Sequence, residues 1–173
     1  MIEKPETRNQ KPEKNIYKVA VLTISDKCSQ GQREDKSGKI IQELIKNLPG
    51  EVAKYEIVPD EPDIIKEKLI SFCDSLKVDL VLTTGGTGFT PRDFTPEATR
   101  EVIEKEVPGI PEAMRVLCLK STKRAMLSRA IAGIRGKTLI INLPGSSQGA
   151  KESLEAILDG LAHGLDMVMG REH

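Results

Sequence analysis

A chain of 173 residues is long enough for one domain with a sizeable core, because a domain of this length buries about two thirds of the surface its unfolded chain exposes. Lys plus Arg total 26 and Asp plus Glu total 26, so no net charge is available for a sequence-independent hold on nucleic acid or anionic lipid, and any anionic ligand has to be caught locally. Aromatic residues make up only 3% with no Trp, which argues against a platform for stacking single-stranded bases.

In chain order, residues 1–15 carry two prolines, many charges and almost nothing to bury, and are expected to form a mobile tail ahead of a single domain over 16–173. Val19 to Ser25 is a short apolar, β-branched run that suits a strand buried on both faces, and similar runs occur at Tyr55 to Val58, Val78 to Thr83 and Thr138 to Leu143. Between them, Ile40, Ile41, Leu44, Ile45 and Leu48 recur at helical spacing, as do Ile65, Leu69, Phe72 and Leu76. Thr95-Pro96-Glu97 reads as N-cap, first-turn proline and first-turn acid of a helix running towards Glu106. A helix containing Met114 and Leu117 follows Pro108-Gly109. Ser128 to Ile134 and the turn Arg135-Gly136 predict a short strand returning antiparallel to the fourth core strand. A last apolar helix face runs from Leu154 to Val168. Alternating strand and helix predicts an α/β domain: a mostly parallel central sheet with one short antiparallel pairing and helices on its faces.

Each predicted core strand ends in residues poor for packing and good for chemistry: Ser25-Asp26, Pro59-Asp60, Thr84-Gly85-Gly86-Thr87-Gly88 and Asn142-Leu143-Pro144-Gly145-Ser146-Ser147. Open α/β sheets bind ligands outside the carboxyl ends of their strands, so the four ends together predict a site. Glycines at 85, 86 and 88 let exposed amides approach a phosphate, although the segment has neither P-loop nor GxGxxG spacing and also reads as a plain turn. Asn142 to Ser147 reads either as an ordinary helix cap or as an anion site. Asp60 reads either as the N-cap of the helix after Pro62 or, with Asp93, as one of two carboxylates able to hold Mg²⁺ together with substrate phosphates.

The only histidines, His163 and His173, fall away from these loops, so a histidine base is not expected. A phosphate monoester, with a second pKa near about 6, needs no proton abstracted at neutral pH, and phosphoryl or nucleotidyl transfer can run on positioning and charge neutralisation. Cys28, Cys73 and Cys118 form neither a CxxC nor a zinc spacing and are expected to be inert thiols in a reducing cytoplasm. No signal-peptide pattern and no apolar run near the roughly 20 residues of a membrane span is present, so no membrane partner is expected.

The string TTGGTGFTPRDFTPEAT (83–99), with VLTISD (21–26), REDKSG (33–38), VPDE (58–61), PGIPEAMR (108–115) and AMLSRAIAGIRGKTLIINLPGSS (125–147), closely resembles the MogA/MoaB family of molybdopterin adenylyltransferases, related to the G domain of gephyrin. The resemblance spans about Tyr17 to Gly170. It implies a three-layer α/β/α domain, a homotrimer and a reaction in which the terminal phosphate of molybdopterin attacks the α-phosphorus of ATP with Mg²⁺. Adenylylated molybdopterin is then handed over to a molybdenum insertion enzyme. Asp60 and Asp93 match the family's critical aspartates, and the resemblance implies ligand contacts at Ser25, Asp26, Thr84, Gly85, Gly86, Thr87, Gly88, Ser128, Asn142, Pro144, Gly145, Ser146 and Ser147. Cys118 departs from a position that is commonly Ser in active members, in a segment associated with the pterin. The alternative reading is a MoaB-type protein that binds molybdopterin or a precursor without transferring AMP.

Overall fold

The computed structural model describes residues 16–171, so the tail expected over 1–15 and His173 lie outside it. Six strands form one sheet in the order β2-β1-β3-β6-β5-β4. Strands β1 (Tyr17–Ile24), β2 (Gly50–Val58), β3 (Leu80–Thr84) and β6 (Thr138–Leu143) are parallel. Strands β4 (Lys105–Glu106) and β5 (Ala132–Arg135) extend the sheet antiparallel on one side.

The buried strands alternate their side chains between two cores, as a period of two requires. Val19, Val21, Leu80, Leu82, Leu139 and Ile141 face helices α2 (Lys36–Ile45), α5 (Gly109–Cys118), α6 (Ser147–Glu155) and α7 (Leu158–Met169). Ala20, Leu22, Val81 and Ile140 face α3 (Pro62–Ile70) and α4 (Thr95–Val102). Helix α3 runs on through a π-helical turn, Ser71–Ser75, that buries Phe72 and Cys73. A one-turn helix, α1 (Asp26–Ser29), follows β1.

Several boundaries differ from the sequence-based expectations, each for a local reason. Strand β2 starts at Gly50 rather than Tyr55 because it is an edge strand, and its exposed Glu51 and Lys54 hide it from a search for apolar runs. Thr95 does not cap α4: Phe94 occupies the cap position, while the buried Thr95 hydroxyl donates to the Gly85 carbonyl at 2.8 Å. The same helix stops at Val102, not Glu106, because Ile103 turns extended and the Glu104 amide then bonds the Ile134 carbonyl at 2.8 Å, bringing β4 alongside β5. The β5–β6 turn is Gly136-Lys137, one residue later than expected, with Gly136 at a φ of 57°. The C-terminal helical face is divided into α6 and α7 around Ala156-Ile157.

The order β2-β1-β3 places the first crossovers on opposite sides of β1. The carboxyl ends of β1 and β3 therefore border a topological switch point, where an open sheet leaves a crevice.

Candidate active site

At that switch point the chain ends of β1 and β3 touch. Gly85 has a φ of 101°, and a Cβ there would overlap the Ile24 carbonyl oxygen, so both conformation and space demand glycine. Gly145 also packs tightly against this turn, since a Cβ on it would lie 3.1 Å from the Gly85 Cα. Thr84 ties the two loops together by donating from its hydroxyl to the Pro144 carbonyl at 2.7 Å.

Two clefts open at this edge. One, of about 630 Å³, is polar, and its walls include Ser25, Arg33, Asp35, Lys36, Asp60 and Ser147. The other, of about 380 Å³, is more apolar, with Met114, Cys118 and Leu127 beside Arg115, Arg124 and Ser128. Gly86, Asp93, Gly145 and Ser146 belong to both. Thr84 and Gly85 line the first cleft, and Thr87, Gly88 and Pro144 the second. Arg33, Lys36, Arg115 and Arg124, which line the clefts, make no ion pair with the described residues, although Arg33 donates to the Ser25 hydroxyl and Arg115 to the Ser128 and Ala130 carbonyls.

Asp60 and Asp26 exchange two bonds across the ends of β2 and β1: the Asp26 amide donates to Asp60 Oδ2 at 2.8 Å, and the Asp60 amide to Asp26 Oδ1 at 3.0 Å. Arg92 then grips both Asp26 oxygens, at 2.7 and 3.0 Å, and Glu61 at 2.7 Å. Asp26 is thereby held in an ion pair and lines neither cleft, whereas Asp60 faces one of them. Asp60 does not cap α3. Glu61 stands at that position and makes no side-chain cap bond, which removes the helix-cap explanation for Asp60. Burial pushes the Asp60 carboxyl above the ordinary Asp value, and the charges of Asp26 and Asp93 push it in the same direction. Asp93 closes a tight turn, its Oδ2 accepting from the Thr90 amide at 2.8 Å, and a Cβ on Gly88 would lie 2.9 Å from that same oxygen.

Asn142 lines neither cleft. Fully buried, it donates to the Thr83 and Thr99 hydroxyls at 3.0 and 2.9 Å and accepts from the Ile131 amide at 3.3 Å, riveting β6 to β3 and α4. Ser146 caps α6, accepting from the Gly149 amide at 3.1 Å, and Ser25 caps α1 while also accepting from Arg33 at 3.1 Å. Cys118 is buried with its sulfur 3.7 Å from the Ser153 hydroxyl, and burial pushes the Cys73 thiol up to about 11. Neither cleft contains a histidine.

Asp35, in the REDKSG string, was not singled out from sequence. Its position just before Lys36-Ser37-Gly38 and an apolar periodicity is an N-cap signal that would have found it. Its carboxylate accepts from Thr23 at 2.5 Å, Tyr55 at 2.6 Å, Gly38 at 2.9 Å and Ser37 at 3.1 Å. Burial pushes this carboxyl up, but the bonds from Thr23, Tyr55, Gly38 and Ser37 outweigh it and hold the group below the ordinary Asp value. A depressed folded value means the stabilisation is complete above the unfolded value and is lost as pH falls through the folded one. Asp35→Ala is therefore expected to cost about 2–4 kcal/mol near neutral pH, through a lost cap and stranded hydroxyls, lowering Tm by roughly 5–15 °C. The difference from wild type should shrink at acid pH in thermal melts.

The sequence profile of the family described as "Probable molybdopterin binding domain" matches residues 20–163. The chain belongs to this molybdopterin-binding family. Among its relatives, the molybdopterin adenylyltransferase of Helicobacter pylori J99 is 48% identical over 155 residues, covering 88% of each chain. Gephyrin of Dictyostelium discoideum is 45% identical over 160 residues, which cover 87% of this chain but 22% of that longer protein. The crystal structure of the molybdopterin biosynthesis enzyme MoaB from Thermus thermophilus has 52% identity and a TM-score of 0.86, covering 90% of this chain and 98% of that one. The family resemblance read from the 83–99 string is thus correct, as is the expected three-layer fold.

Proposed function

We propose that this protein is a molybdopterin adenylyltransferase of molybdenum cofactor biosynthesis, using Mg·ATP to give adenylylated molybdopterin and pyrophosphate. The observation that carries the reading is the pair of clefts meeting along Gly86, Asp93, Gly145 and Ser146, which suits two substrates whose phosphates must react with each other. Relatives named molybdopterin adenylyltransferase, at 48% and 38% identity, support it.

The pterin takes the cleft of Met114, Cys118 and Leu127, whose apolar walls accept a flat ring and whose Ser128 and Ser153 meet its polar edge. The nucleotide takes the cleft of Ser25, Arg33 and Lys36. Amides of the Gly86 to Gly88 turn and of the start of α6 cradle the phosphates at the junction. Asp60 and Asp93 supply hard oxygen donors, and with Arg92 already claiming Asp26 these two remain to hold Mg²⁺ with the substrate phosphates. When bound, the ion neutralises phosphate charge. The terminal phosphate oxygen of molybdopterin forms a bond to the α-phosphorus as the bond to the bridging oxygen breaks, and pyrophosphate leaves with that electron pair. No general base is required, in keeping with clefts free of histidine.

The active unit is a homotrimer in the cytoplasm that passes its product to a molybdenum insertion enzyme. Val116 and Met126, each 62% exposed, offer apolar surface for such contacts. Among the described residues, no helix is long and apolar enough to cross a membrane. Purified protein incubated with molybdopterin and Mg·ATP in the absence of molybdate is expected to form adenylylated molybdopterin and an equal amount of pyrophosphate. Tight molybdopterin binding with no ATP-dependent product would instead establish a binding protein without transferase activity.

A further inference from the structure

Arg129 follows Ser128 in the chain and is half-buried. Its backbone amide donates to the Thr87 carbonyl at 2.9 Å. One edge of its guanidinium reaches two more carbonyls, Nε donating to Gly88 at 2.7 Å and Nη2 to Asp93 at 2.8 Å, while Nη1 pairs with Glu97 on α4. A single planar fork therefore grips both ends of the 88–93 loop and ties them to the first turns of the following helix. Glu97 leaves its other oxygen buried with no partner among the described residues, a cost that the fold retains in order to seat the guanidinium here.

We propose that Arg129 is a positioning residue for Asp93. The loop it closes carries the one carboxylate that both clefts share, and that carboxylate packs directly over Gly88, whose carbonyl the guanidinium holds. Fixing the two carbonyls fixes where the Asp93 carboxylate sits relative to Gly86 and Ser146. An ammonium group cannot reproduce two parallel donors from one plane, so Lys is not an equivalent residue at this position. The kinetic consequence rests on the adenylyl-transfer reading, and the structural consequence does not.

The test uses the full chain carrying Arg129→Lys or Arg129→Ala, with two readouts. Amide hydrogen exchange over residues 88–93 is expected to speed up at least about 10-fold in Arg129→Ala, with the central strands β1, β3 and β6 unchanged. In the adenylylation assay kcat should fall about 10²-fold in both variants, the size expected when a reacting group shifts by about 1 Å, while KM for ATP and for molybdopterin stays within about threefold. The KM values hold because Arg33, Lys36, Arg115 and Arg124 are untouched. Unchanged exchange in the loop, exchange rising equally in the central strands, wild-type kcat in Arg129→Lys, or a loss confined to KM would each overturn the proposal. A wild-type protein that makes no product would remove the proposed function, and the exchange result would then decide the clamp alone.

Discussion

Asp93→Asn is expected to lower kcat for molybdopterin adenylylation by about 10³-fold while leaving the thermal midpoint within about 2 °C of wild type. The kinetic loss is large because this carboxylate lies where the two clefts join, so no other acid can serve both substrates from the same place. The fold is spared because an Asn amide oxygen can still accept from the Thr90 amide, and the Asp93 carbonyl that Arg129 grips belongs to the main chain. Steady-state kinetics beside a melt on the same preparation makes the comparison. A variant with wild-type kcat would remove Asp93 from the site.

Asp60→Asn should lose activity on a similar scale, yet it should not lose stability. The expected cap role, which would have made the substitution destabilising, is absent, since α3 starts at Glu61 without a side-chain cap bond. An Asn can keep the bond from the Asp26 amide, and it removes a partly buried charge that faces Asp26 and Asp93. Because burial and those neighbours raise the Asp60 value in the folded state, its ionised form is a net stability cost that grows as pH rises through that value. The melting midpoint of Asp60→Asn at neutral pH should therefore equal or exceed that of wild type, as is common where a site is built at the expense of the fold. With Asp60 acting as an ionised ligand in the proposed reaction, the same shift is expected to place the acid limb of wild-type kcat/KM above the ordinary Asp value of 3.8. A midpoint several degrees below wild type would show that Asp60 supports the fold, and wild-type kcat would remove it from the reaction.

The central strands were legible because β1, β3 and β6 are buried on both faces, and such strands must be written in unbroken apolar residues. The edge strand β2 was legible only from Tyr55 to Val58, and the two-residue β4 not at all, because edge positions tolerate charge. Thr95 shows a different limit. Threonine before Pro96 satisfies every local rule for a cap, but its hydroxyl is drawn away to the Gly85 carbonyl by a contact between distant loops.

Composition, apolar periodicity and the 83–99 string together determined the layer architecture, the family and the edge of the sheet that carries chemistry, because each is written in consecutive residues. Which strand-end residues line the clefts was decided by tertiary structure alone. Arg92 withdraws Asp26 into an ion pair, Asn142 turns inward to rivet β6, and Arg33 with Lys36, Arg115 and Arg124 arrive at the clefts from three separate segments without an ion pair among the described residues. Partners in a salt bridge or a buried hydrogen bond are chosen by proximity in space, and that proximity exists only once the crossovers around β1 have been made.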